Sequence, residues 1–91
     1  EMALYINPAD VDVLLALGRA SLETGNPAGA LYAYDTALVT EPPMRRPALA
    51  HIGRAKAYLA MGKKADAKAA IAAALKTEPS NADALALKAK L

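Results

Sequence analysis

His51 is the only histidine in this chain of 91 residues, and it is the side chain best suited to proton transfer or metal ligation near neutral pH. A metal would need further ligands at helical spacing, and positions three and four residues on either side of His51 hold Ala48, Pro47, Arg54 and Ala55. His51 therefore reads as a packing or rim histidine. Asp10 and Asp12 have the opening spacing of a calcium loop, but the glycine and closing glutamate of such a loop are missing. Both carboxylates suit the start of a helix, where the N-terminal dipole favours negative charge. Arg45-Arg46 and Lys63-Lys64 are short basic pairs of the kind found solvated in turns, too brief to read as a nucleic-acid tail. No glycine follows a strand, so no phosphate-binding loop is present. Nothing assembles a nucleophile, a base and an oxyanion hole. No catalytic residue, metal site or cofactor is expected.

The elements that carry these side chains are helical. Residues are 55% apolar and 22% charged, which fits an ordered globular chain. Four tyrosines are the only aromatics, so the core must be built from small and aliphatic side chains. Alanine, the strongest helix former, dominates, and no segment alternates in the manner of a strand. The net charge of +2 is too small to specify an acidic partner. With no cysteine there is no disulfide framework, which suits cytoplasm and periplasm equally. No apolar run is long enough to span a bilayer.

The chain repeats itself. Gly18 to Ala55, Gly25 to Gly62, Ala30 to Ala67, Ala37 to Ala74 and Pro42 to Pro79 are each separated by 37 positions. A constant period of this size marks stacked copies of one supersecondary unit. Helices are expected over about Asp10 to Thr24, Pro27 to Thr40, Arg46 to Met61, Lys64 to Thr77 and Asn81 to Leu91. Gly25 and Gly62 fit the left-handed position after a helix. Asn26 followed by Pro27 fits a cap followed by the first helical residue. Ser80, with Asp83 three residues on, is the expected cap of the last helix. Ala3-Leu4 followed by Pro8 repeats the spacing of Ala37-Leu38 to Pro42, so residues 1–8 read as the tail of a preceding unit. The small residues recur where paired helices must approach closely, and Tyr34, Leu38, Ile71 and Leu75 fill the space beside them.

This pattern resembles the tetratricopeptide repeat, whose signature is W-x2-L-G-x2-Y…A-x3-F…P. The matching residues are Leu14, Leu17-Gly18, Ser21, Ala30, Tyr34 and Pro42, then His51, Arg54-Ala55, Tyr58, Ala67, Ile71 and Pro79. The resemblance covers essentially the whole chain. It implies an all-α fold, a right-handed α-α superhelix (α-solenoid) of two full helix-turn-helix repeats, about 11–42 and 48–79. A partial third repeat or capping helix follows at 81–91. Departures are His51 and Arg54 at positions usually apolar, Lys68 where Ile or Leu is usual, Ser21 in place of Tyr, and a linker about three residues longer than usual around Pro43 to Pro47. These are expected to weaken the second unit's core somewhat. Two units are few for a stable array, so the chain reads as a fragment of a longer one.

In arrays of this family the first helix of each pair lines a concave groove. Carried over by position, the first unit gives Asp12, Leu15, Ala16, Arg19, Leu22 and Glu23, the second Leu49, Ile52, Gly53, Lys56 and Leu59, and the last helix Asp83, Ala86, Leu87 and Lys90. Arg19, Lys56 and Lys90 form a basic stripe. Leu15, Ile52, Leu22 and Leu59 form an apolar stripe beside it. The implied role is a non-catalytic scaffold module that binds a protein or peptide segment with aliphatic and acidic residues. The chaperone-tail clamp of some members requires Lys and Asn where this chain has Leu15, Arg19 and Gly53, so that specialisation is not expected. Two alternatives stand beside this one. Exposed ends of a repeat stack favour self-association into a homo-oligomer. Weak nucleic-acid binding through the basic stripe would show steep salt dependence, and no such partner is expected.

Overall fold

The computed structural model describes residues 10–40 and 45–91. The stub expected at residues 1–8 and most of the long linker lie outside these. Five helices follow in order: α1 (Val11–Glu23), α2 (Pro27–Leu38), α3 (Pro47–Ala60), α4 (Lys64–Thr77) and α5 (Ala82–Ala89). Among the described residues there is no strand. Helices α1 and α2 form one antiparallel hairpin and α3 and α4 a second. Helix α2 packs on α3, α1 lies beside α3, and α5 packs on α4.

Local chemistry sets each boundary. Asp10 caps α1, its carboxylate accepting from the backbone N–H of Asp12 at 2.9 Å and of Val13 at 3.5 Å. The α1–α2 turn is closed by Gly25 donating to the Leu22 carbonyl and Asn26 to the Ser21 carbonyl. This pair of bonds requires left-handed backbone at the glycine, and Gly25 has φ of 78°. The α3–α4 turn repeats the arrangement 37 residues on. Gly62 donates to Leu59, Lys63 donates to Tyr58, and Gly62 has φ of 77°. Asn26 serves both helices at once, since its side chain also accepts from the Gly29 N–H at 3.1 Å. Ser80, expected to cap α5, lies in the preceding turn instead. Asn81 is the cap, accepting from the Ala84 N–H at 3.0 Å. Both residue types cap well, and the turn closed by Asn81 donating to the Glu78 carbonyl decides between them.

Most of the fully buried side chains are alanines, and two clusters result. One joins Leu14 of α1, Ala30, Tyr34 and Ala37 of α2, and Ala50 and Ala57 of α3. The other joins Ala48, Ile52 and Ala55 of α3, Ala67, Ala70, Ile71 and Ala74 of α4, and Ala84 and Leu87 of α5. Helix α3 thus gives one face to each hairpin. With methyl groups at the crossings, the helices can approach at the short end of the usual range of about 8–10 Å.

Two arginines fasten the helices together, one mainly within the second hairpin and one between the hairpins. Arg46, at the N-terminus of α3, grips Glu78 at the end of α4 with two bonds, Nε to Oε2 at 2.9 Å and Nη2 to Oε1 at 2.8 Å. Asn81 adds a third, donating to Glu78 Oε1 at 3.0 Å. One carboxylate therefore ties the starts of α3 and α5 to the end of α4. Arg46 stays exposed, as expected of a solvated basic pair, and adds this surface clip. The bonds from Arg46 and then Asn81 hold the Glu78 pKa down at about 2, against an ordinary 4.5. A depressed acid stabilises the fold above its unfolded pKa, and the contribution is lost as pH falls. Glu78→Gln should flatten the fall in melting temperature between pH 4.5 and about 2. An unchanged acid limb in the variant would mean that the clip is not formed in solution.

Arg54 performs a similar task between the hairpins. Its Nε lies 2.7 Å from Asp35 Oδ1 of α2, an ion pair whose N–H is not aimed at the oxygen and makes no hydrogen bond. Its guanidinium sits 5.7 Å from the centre of the Tyr58 ring. The arginine expected to weaken an apolar position joins α2 to α3 instead, its stem half-buried and its head group paired.

Candidate binding groove

A groove of about 350 Å³ opens where α1, α3 and α5 face one another. It is lined by Leu15, Arg19 and Leu22 from α1, Leu49, Ile52, Gly53 and Lys56 from α3, Asp83 from α5 and Tyr34 from α2. Helical spacing explains the selection. Leu15, Arg19 and Leu22 are four and three residues apart and share one face of α1, and Leu49, Ile52, Gly53 and Lys56 share one face of α3. Leu15 and Leu22 are half-buried against the first core, Ile52 is buried, and Leu49 is exposed.

The structure brings eight of the sequence-derived positions together: Leu15, Arg19, Leu22, Leu49, Ile52, Gly53, Lys56 and Asp83. The others, Asp12, Leu59 and Lys90 among them, lie apart from the lining. Asp12 is exposed in the first turn of α1. Leu59 is turned against the second core. Lys90 is the exposed C-terminal cap of α5. Leu87, also expected on the groove, is a core residue at 9% exposure.

One lining feature escaped sequence reasoning, the entry of Tyr34. Tyr34 belongs to the outer helix of its hairpin, yet its ring reaches the groove between Gly18 of α1 and Gly53 of α3. A Cβ on Gly18 would come within 2.6 Å of the ring, and a Cβ on Gly53 would overlap it outright. Both glycines are buried. Gly53 lines the groove at its expected position and is also half of a slot that admits the tyrosine. The only signal for it was a glycine inside a helix at a place where the repeat does not call for one, since its counterpart 37 residues earlier is Ala16.

Electrostatically the groove is mixed. Arg19 and Lys56 make no ion pair with any of the described residues, in contrast to Arg46 and Arg54. Asp83 brings the opposite sign from α5. Burial raises the Tyr34 pKa, and nearby Arg19 partly offsets the rise, so the phenol stays protonated near neutral pH. His51 lies off the groove, its Nδ1 3.4 Å from Arg54 Nη1. Burial first, and then the charge of Arg54, lowers its pKa below the ordinary 6.5, against the opposing pull of Asp35. It is therefore neutral near pH 7 and packs as part of the α2–α3 junction. No cluster of acidic, histidine or cysteine side chains suited to a metal occurs among the described residues.

A second cleft, of about 370 Å³, lies at the far end of the stack between Lys68, Ile71, Ala72 and Leu75 of α4 and Lys88 and Leu91 in and after α5. None of the described helices is long and apolar enough to cross a membrane.

Comparison with protein families returns the tetratricopeptide repeat twice, one model matching residues 3–44 and another residues 47–91. The chain belongs to the tetratricopeptide repeat family. The two matches meet at the linker between the hairpins, as the helix order requires. Searches of curated proteins and of solved structures find no match. Tetratricopeptide repeats in general mediate protein–protein interaction and scaffolding and are typically non-catalytic.

Proposed function

We propose that this tetratricopeptide repeat chain is a non-catalytic module that holds a protein segment in the groove between α1, α3 and α5. The observation that carries this reading is the pairing of an apolar floor with free cations. Leu15, Leu22, Leu49 and Ile52 offer aliphatic surface, and Arg19 and Lys56 stand among them with no partner among the described residues. Burying one aliphatic side chain against such a floor contributes about 1.5–3 kcal/mol. The cations add steering and exclude partners of the wrong sign. The segment this favours carries aliphatic anchors and acidic neighbours.

The test uses a displayed library of random peptides selected on the wild-type chain, with the winners then measured on Arg19→Glu/Lys56→Glu. Both substituted side chains are exposed, so helicity by circular dichroism should be unchanged. Placing two like charges against an acidic segment should weaken the winners at least about tenfold. Equal affinity for both proteins would move the binding surface elsewhere.

A further inference from the structure

Among the residues lining the groove, Tyr34 alone comes from an outer helix. It is a buried residue at 6% exposure, and its ring fills the slot made by Gly18 and Gly53. Its hydroxyl makes no hydrogen bond with any described residue. The only buried side-chain polar atom without a hydrogen-bond partner among the described residues is Arg54 Nε, so the Tyr34 oxygen is open to the groove, where an arriving segment can meet it. Burial keeps the phenol protonated, so it is a donor. The groove residues around it include two cations, Arg19 and Lys56, that make no ion pair among the described residues. Three groups with hydrogens to give therefore share one small groove, and the carboxylate the groove does contain, Asp83, comes from the separate helix α5.

We propose that the Tyr34 hydroxyl, together with Arg19 and Lys56, forms a seat for one acidic side chain (Asp or Glu) of the bound segment, beside an aliphatic residue resting on Leu15, Leu22 and Ile52. This rests on the groove being the binding surface. A carboxylate fits better than a neutral carbonyl because it answers both positive charges as well as the phenolic hydrogen. The slot gives the seat its rigidity. A tyrosine gripped between two backbones cannot swing away, so its hydroxyl is already placed when the segment arrives.

The experiment selects displayed random peptides on the wild-type chain. The most enriched peptide, and its Asp→Asn or Glu→Gln form, are then measured on wild type and on Tyr34→Phe, each peptide with an amidated C-terminus. Enriched sequences should share an acidic residue at fixed spacing from an aliphatic one. The acid-to-amide change should cost about tenfold or more on wild type, in line with hydrogen bonds to charged groups, and clearly less on Tyr34→Phe. Should Tyr34→Phe melt well below wild type, Arg19→Gln/Lys56→Gln, altered only at exposed positions, provides the same comparison. Winners that carry no shared acid, or an acid whose loss costs the same on every variant, would overturn the seat and leave the groove reading standing. Affinity that depends on a free C-terminus would assign the carboxylate to a chain end and likewise overturn it. No enrichment on the wild-type chain would overturn both.

Discussion

Tyr34→Ala should cost about 3–5 kcal/mol of folding stability, the range for deleting a buried aromatic side chain. Small domains hold only about 5–15 kcal/mol in total, so this one change should bring the chain close to unfolding at room temperature. The reason lies in position rather than size alone. The core is otherwise largely alanine, whose methyl groups contribute little buried area each. Tyr34 is the large side chain where α1, α2 and α3 meet, and glycines on two of those helices leave no side chain to expand into the space. The cavity would stay open, and the contact between the hairpins would lose its filler. Urea unfolding followed by circular dichroism measures it. A loss under about 1 kcal/mol would mean that the slot collapses freely and the ring is not its organising element.

Gly53→Val should be nearly as damaging, at about 3 kcal/mol, for the opposite reason. Its first carbon would already overlap the Tyr34 ring, and the added methyl groups have no free direction inside a buried contact. On an exposed helix the same substitution would be mildly favourable, because glycine is a poor helix former. The sign of the effect therefore separates a packing role from a helical one. Combining it with Tyr34→Ala closes a cycle. The double variant should lose less than the two single losses added, by about 1 kcal/mol or more, because valine would partly occupy the space the ring vacates. Strict additivity would mean that residues 34 and 53 do not touch.

These two residues mark where the sequence ceased to be legible. The period of 37 exposed the hairpins because turns repeat their chemistry. Gly25 and Gly62 take the same left-handed conformation and close the same pair of bonds, so two copies of one signal reinforced each other. The signature positions likewise placed Arg19 and Lys56, and Leu15 and Ile52, on matching faces, which the structure brings to one groove. Gly53 had no second copy. With alanine at the equivalent place in the first unit, its meaning depended on a ring arriving from α2, and nothing local to residue 53 encodes that. The ion pairs were hidden for the same cause. Arg46 and Glu78 are 32 residues apart, and their meeting depends on how α3 and α4 align. Arg54 looked misplaced on an apolar face because its partner, Asp35, lies on another helix. Leu59 and Leu87 show the reverse: helical position alone put them on the groove, whereas Leu87 joins the core of the second hairpin and Leu59 rests half-buried against it.

The central claim is that the face shared by α1, α3 and α5 receives a protein segment. Backbone and methyl NMR shifts, recorded while titrating a peptide selected on the wild-type chain, test it most directly. Changes should concentrate at Leu15, Arg19, Leu22, Ile52 and Lys56 and fade along the outer faces of α2 and α4. Changes centred instead on Lys68, Leu75 and Leu91 at the far end of the stack, or on Tyr32 and Val39 of the outer helix, would contradict it.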